Sequence, residues 1–195
     1  MSVLYYTSRY KGNVMSLLIN DDMFVKLINP GEPVNPSLTI EDQLKGGTWN
    51  IGGTEYKEQG YVFDYVFAND TTTDEKTFVF IDAFNGHISN GVFVDFDVYI
   101  YVCCSRKLIM LDSTTTPTVS ELRNAGYYAE ARANRVDTLC DCIHGIINKN
   151  YDIKGIGRIT PNPSGFVMPY NPNNNYYGKC LRYQIPNYNG DDDEC

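Results

Sequence analysis

The strongest constraint on this chain lies in residues 132–150, RANRVDTLCDCIHGIINKN. Val136, Leu139, Cys140, Ile143, Ile146 and Ile147 recur there at helical spacing, while Asp137, Asp141, His144 and Asn148 fall on the other side. It is the clearest amphipathic helix in a chain whose other patterned segments are mostly strand-like. It stands between a long alternating segment, 92–104 (VFVDFDVYIYVCC), and two later strand segments, 153–160 and 176–185. Strands, then a helix, then strands is the order of an α+β domain. The expected form is a small, mostly antiparallel sheet with this helix packed on one face and an N-terminal helix beside it. A chain of 195 residues fits a single domain, 1–195, with enough buried surface for a real core.

Upstream, Val14, Leu17, Leu18, Phe24, Val25 and Ile28 share a helical face. Asn20-Asp21-Asp22 interrupts it, so either the helix restarts on an Asn or Asp cap or one helix carries an acidic notch. Pro30 and Gly31 stop it. Residues 30–60 hold Pro30, Pro33, Pro36 and the pairs Gly46-Gly47 and Gly52-Gly53, with weak periodicity; they are expected to form a long loop. Leu38, Ile40, Leu44, Trp49 and Ile51 argue against simple disorder in it. The lone Trp49 has the look of an anchor, packing either on its own domain or on a neighbour.

Segments 61–67 and 76–84 alternate and are expected to pair as a hairpin across Asn69-Asp70 and Thr71–Thr73, with further turns at Asn85-Gly86 and Asn90-Gly91. In 92–104, Val92, Val94, Phe96, Val98, Ile100 and Val102 form the core face. Phe93, Asp95, Asp97, Tyr99, Tyr101 and Cys103 form the other, which is wet or meets a partner. Two more long loops are expected, 105–131, with a short helical turn within 113–124, and 161–175, whose apolar middle is Phe166, Val167, Met168 and Tyr170. Segment 153–160 has two glycines and predicts a bent strand. Residues 190–195 are expected to be a disordered tail.

The formal net charge is −8, and no Lys/Arg cluster of the kind that releases counterions from a nucleic acid is present. An acidic surface does suit a channel that DNA slides past without sticking. Tyrosine (16) and phenylalanine (9) against one tryptophan is a usage that favours strands and contact surfaces. The six cysteines, Cys103, Cys104, Cys140, Cys142, Cys180 and Cys195, form no secreted framework and read as free, buried thiols of a reducing cytoplasm. No secretory signal or membrane-length apolar run is visible.

No catalytic constellation emerges. The two histidines, His87 in an expected turn and His144 on the polar side of the main helix, have no nucleophile signature beside them. Cys140 and Cys142, two apart on a helix, point about 200° apart and cannot share an ion. Cys103 and Cys104 on a strand face opposite ways, and the paired Cys spacing of a zinc site is absent. Gly155-Ile156-Gly157 and Lys45-Gly46-Gly47-Thr48 lack the spacing of phosphate loops. The pairs Asp95/Asp97 and Asp137/Asp141 read as solvated acidic faces. The expectation is therefore no enzyme, no cofactor and no metal. Long apolar-centred loops on a small sheet are better explained by contacts between subunits, heterologous ones in a closed ring.

Taken in order, LINDDMFVKLINP (18–30), DFDVYIYVCC (95–104), the helix start Arg135-Val136-Asp137, GIGRIT (155–160) and YYGKCLRYQIPNYN (176–189) resemble the tail terminator and head–tail connector (neck) proteins of tailed bacteriophages. The similarity covers about two thirds of the chain, contains no short diagnostic motif, and departs from the compact pattern at 30–60 and 105–131. It implies a structural virion protein that forms a ring of six copies at the head–tail junction. Such a ring terminates the tail tube, binds tail tube protein on one side and a head-completion (neck) protein on the other, and leaves a DNA channel without binding DNA specifically or touching membrane. It implies assembly in the host cytoplasm and location in the virion tail or neck. Asp95 and Asp97 are then the lumen-facing candidates, and Trp49, Phe166, Met168 and Tyr170 the interface candidates. Another phage adaptor (a stopper, minor capsid or baseplate component) is the alternative reading, and a soluble hydrolase a third.

Overall fold

The chain opens with two helices, α1 (Val3–Ile19) and α2 (Asp22–Ile28). Of the open alternatives at the acidic break, the structure takes the restart. Asp21 Oδ1 accepts the N–H groups of Met23 at 3.0 Å and Phe24 at 2.9 Å, satisfying donors that a helix start leaves free. The structure is a computed structural model, and it describes residues 3–28, 31, 33–66, 75–89, 93–111, 117–126, 134–150, 152–153 and 157–188.

Residues 30–60 are not the long loop expected from weak periodicity. They contain α3 (Ile40–Lys45), opened by a capping box between Thr39 and Asp42, and a hairpin of β1 (Gly47–Ile51) and β2 (Thr54–Glu58). These elements are too short for a hydrophobic period to register. The Gly52-Gly53 pair, at φ 62° and 84°, makes the two-residue turn for which two left-handed residues are needed.

Next comes β3 (Val62–Phe63), which pairs with β4 (Thr77–Ser89) in parallel, Val62 opposite Val79. The hairpin expected between 61–67 and 76–84 is thus corrected: alternation marks a strand but carries no information on its direction. Asn69-Asp70 and Thr71–Thr73 lie outside the described residues, as does Asn90-Gly91. Asn85-Gly86 is not a turn. It sits inside β4, where the register with β5 (Phe93–Ser105) shifts between Asn85 and His87, the bulge that a glycine permits.

The 105–131 region carries the short helical turn expected within 113–124, α4 (Val119–Asn124), capped by Thr118 and Glu121. The main helix is α5 (Arg135–Lys149), with Asn134 as its cap. Segment 153–160 does not form one strand. β6 (Asp152–Ile153) and β7 (Gly157–Arg158) pair with each other alone, and only β8 (Thr160–Pro161) joins the main sheet. β9 (Val167–Pro169), within the expected 161–175 tip, and β10 (Tyr176–Tyr188) complete the sheet, whose order is β3-β4-β5-β10-β8 with β9 also on β10. The 190–195 tail lies outside the described residues.

This is the α+β fold expected from the sequence. The even-numbered face of β5 is core: Phe96, Val98, Ile100, Val102 and Cys104 pack with Val79 and Ile81 of β4 and Leu181, Tyr183 and Ile185 of β10. Against them lie Val14 and Leu18 of α1, Phe24 and Leu27 of α2, and Leu139, Ile143 and Ile147 of α5. Each such buried aliphatic contributes about 1.5–3 kcal/mol. Because α5 touches both the sheet and α2, its buried surface is wider than the expected stripe and takes in Thr138, Cys142 and Arg135. Arg135, 3% exposed, donates from Nη1 to Leu27 O at 2.7 Å and from Nε to Leu108 O at 2.9 Å, placing a cation at the carbonyl end of α2. Five cysteines are buried free thiols, with Cys103 and Cys104 on opposite faces as their adjacency requires; Cys195 lies outside the described residues.

Candidate functional site

No described helix packs on the second face of the sheet. Register places its residues in rows across β4, β5 and β10: Phe78, Cys103, Gly178; then Phe80, Tyr101, Cys180; then Asp82, Tyr99, Arg182; then Phe84, Asp97, Gln184. The first rows are closed by Phe63 and Tyr176, which bury Phe78, Phe80 and Cys103. Toward the later rows the surface opens. Phe84, 49% exposed, meets Tyr99 edge-on at 5.4 Å, Tyr99 stacks on Tyr101 at 6.2 Å, and Tyr101 meets Tyr170 at 4.7 Å. Burial, with the nearby Cys180 and Asp82, pushes the Tyr101 phenol up to about 12; burial raises Tyr170 as well. Both are neutral hydrogen-bonding groups over the physiological range.

Arg182 lies in the middle of this ladder. Its guanidinium sits 5.3 Å from the Tyr99 ring centre, Nη2 donates to the Tyr99 hydroxyl at 3.3 Å, and Nη1 lies 3.6 Å from the Met168 sulfur. Its Nε is buried without a hydrogen-bond partner, and no carboxylate pairs with it among the described residues.

Gly178 lets the neighbouring segment lie against the sheet. Tyr170 N–H donates to Gly178 O at 3.0 Å. A Cβ at Gly178 would stand 2.5 Å from Val102 O and 2.6 Å from Tyr170 O. Only glycine allows that approach, and it brings the Tyr170 ring onto Tyr101. The signal in the sequence was a glycine inside an otherwise unbroken strand pattern.

The expected site residues separate into three places. Met168, 40% exposed, and Tyr170 join the tyrosine face with Tyr99, Tyr101 and Arg182, none of which sequence reasoning singled out as a site residue. Phe166 turns the other way, packing against His144 at 4.8 Å and Tyr183 at 5.2 Å. Trp49 is half-buried on the β1–β2 hairpin, opposite Tyr56, with its ring over Gly47. No residue of this hairpin is buried, and its two strands form a sheet of their own. Trp49, Ile51, Tyr56 and Glu58 share its less exposed face; Thr48, Asn50, Glu55 and Lys57 are exposed on the other. At its base Gly46 and Gly60 cross so closely that a Cβ on Gly46 would stand 2.6 Å from Gly60 N. It is an arm on a pinched neck.

Asp97 is half-buried at the later end of the tyrosine face, where Asn162 Nδ2 donates to its carboxylate at 3.2 Å. The side chains of Asp95 and His87 lie outside the described residues. His144 is not on an open polar face. Its Nδ1 lies 3.1 Å from the Tyr183 hydroxyl and its Nε2 2.9 Å from Asn148 Nδ2, and burial lowers its pKa against a smaller opposing effect of Asp141. Among the described residues no group of three His, Cys, Asp or Glu converges as a metal site. An open cleft of about 520 Å³ lies where α1 and α5 end, lined by Ser16, Asn20, Asp21, Lys149 and Asn150 among others. The arrangement is a ladder of tyrosines and apolar edges around a fixed guanidinium.

Comparison with known proteins returns one family: the model named YomW matches residues 21–185. No curated protein and no solved structure matches the chain.

Proposed function

The chain belongs to the YomW family, a phage-associated family of the Bacillus phage SPbeta region, and from that premise we propose that it is a structural subunit of a tailed-phage particle. In this reading it forms a ring, of six copies by its resemblance to tail terminator and neck proteins. The ring ends the tail tube, joins it to a head-completion protein and leaves a channel for DNA. The observation that carries the reading is the tyrosine face, a sheet surface with exposed Phe84 and Met168 around Arg182. Contact surfaces are enriched in such residues, and soluble monomers rarely leave them open. The subunit turns over no substrate in this role. Asp97, with Asp95 two residues before it on the same strand, borders the channel, where a chain of net charge −8 repels rather than traps a polyanion.

The test is the mass of the purified protein by light scattering, with negative-stain images of the same fraction, alone and with tail tube subunits of the same phage. Closed rings with a central hole, or caps on tube ends, are expected. A chain that stays monomeric at every concentration and leaves tube length unchanged overturns the reading.

A further inference from the structure

Among the described residues the arm and the tyrosine face do not meet within one subunit. The arm strands pair in a sheet only with each other, and among the described residues neither Trp49 nor Tyr56 enters the ladder from Phe84 to Tyr170. A two-stranded hairpin without further packing is marginal in water. We propose that the arm of one copy lies on the tyrosine face of the next copy, Trp49 and Tyr56 against Tyr99 and Tyr101, with the Glu58 carboxylate meeting Arg182.

Charge selects this occupant. Arg182 is a cation fixed among tyrosines, and no carboxylate pairs with it among the described residues. Glu58 shares the arm face that carries Trp49 and Tyr56. One of its oxygens accepts the Val34 N–H at 2.9 Å, and no cation pairs with it among the described residues. A guanidinium held against an aromatic ring loses little freedom on meeting a carboxylate, and Arg–Tyr groupings of this kind dominate interface energies. On a chain this acidic, most other approaches of two copies bring like charges together, so a cation fixed in the face also sets the register. The arm and the face are different patches, so the contact is heterologous. It passes from copy to copy until rotation closes it, which is how a ring is built. The inference rests on the ring reading and names the contact that makes the ring.

The test places one cysteine on each surface in separate chains, Ile51→Cys on the arm and Met168→Cys on the face, both in a Cys195→Ser background where the other five thiols are buried. Mixed and oxidised, the two chains give disulfide-linked pairs in large excess over either chain alone. A higher yield from the arm variant by itself means arm meets arm and overturns the proposal, as does the absence of any mixed product. As a second readout, Arg182→Glu drops the multimer to monomer mass with an unchanged circular dichroism spectrum, and adding Glu58→Arg restores the multimer. Trp49→Ala, a change outside the core, has the same dissociating effect. Rings that survive Trp49→Ala and Arg182→Glu intact sink this contact and leave the ring reading standing. A chain that is monomeric at its highest soluble concentration, caps no tube and gives no mixed disulfide sinks both.

Discussion

Replacing Gly178 by alanine puts a methyl group where two carbonyl oxygens already stand, 2.5 Å away at Val102 and 2.6 Å away at Tyr170. Real Cβ atoms do not come within 3.0 Å of such neighbours, so each oxygen must retreat by about half an ångström. Neither can rotate aside, because both are backbone atoms tied to strands or to the Tyr170–Gly178 hydrogen bond. Overpacking of this kind costs about 1–3 kcal/mol. Gly178 has no left-handed φ, so alanine also stiffens the unfolded chain and returns about 0.4–1 kcal/mol. The net expectation is a loss of about 1–2 kcal/mol. With a urea slope of about 2 kcal/mol/M, the unfolding midpoint falls by roughly 0.5–1 M. The matched control is Gly12→Ala. That glycine is exposed inside α1 with nothing within 4 Å of its would-be Cβ, so the same change stabilises by about 0.5–1 kcal/mol and raises the midpoint. Fluorescence and circular dichroism in urea read both variants. The displaced Tyr170 also uncovers Tyr101, whose titration moves down from about 12 toward an ordinary phenol. A Gly178→Ala midpoint at or above that of the parent, with Tyr101 unmoved, refutes the crowding argument.

Three further outcomes follow from the core. Arg135→Met strips the buried Leu27 carbonyl and the half-buried Leu108 carbonyl of charge-assisted bonds worth about 1.5–3 kcal/mol each, and a thermal scan is expected to show a midpoint lower by roughly 5–10 °C. Tyr10→Phe has the opposite sign. The Tyr10 hydroxyl is buried without a partner among the described residues, so its removal is expected to stabilise by about 1 kcal/mol in urea. His144 has a folded pKa below its unfolded value, so its neutral form belongs to the folded state and its contribution is present above pH about 6.5 and lost as acid is added. Stability measured across that range should fall less steeply for His144→Gln than for the parent, and equal slopes would remove His144 from the acid response.

The alternation in 92–104 and the heptad-like stripe of 132–150 were enough to set the class of fold, because burial on one side imposes a period that any local reading can see. The core face of β5 and the extent of α5 follow from residues within one turn or one strand of each other. The Asp21 restart is equally local. The short elements of 30–60 escaped, since a six-residue helix and two five-residue strands carry too few positions to show a period, although Gly52-Gly53 marked their turn. The direction of β3, the broken 153–160 segment and the extension of β4 through Asn85-Gly86 depended on partners far along the chain.

The candidate site divides in the same way. That Asp97, Tyr99 and Tyr101 share a face was legible from the period of two. That Arg182 faces Tyr99 from β10, that Gly178 admits Tyr170, and that Phe166 turns toward His144 while Met168 stays outside could not be read from spacing. Local pattern specifies which side of an element is apolar. Which elements become neighbours is decided by long-range register and by where a missing Cβ lets two backbones touch, and only the tertiary structure holds that information.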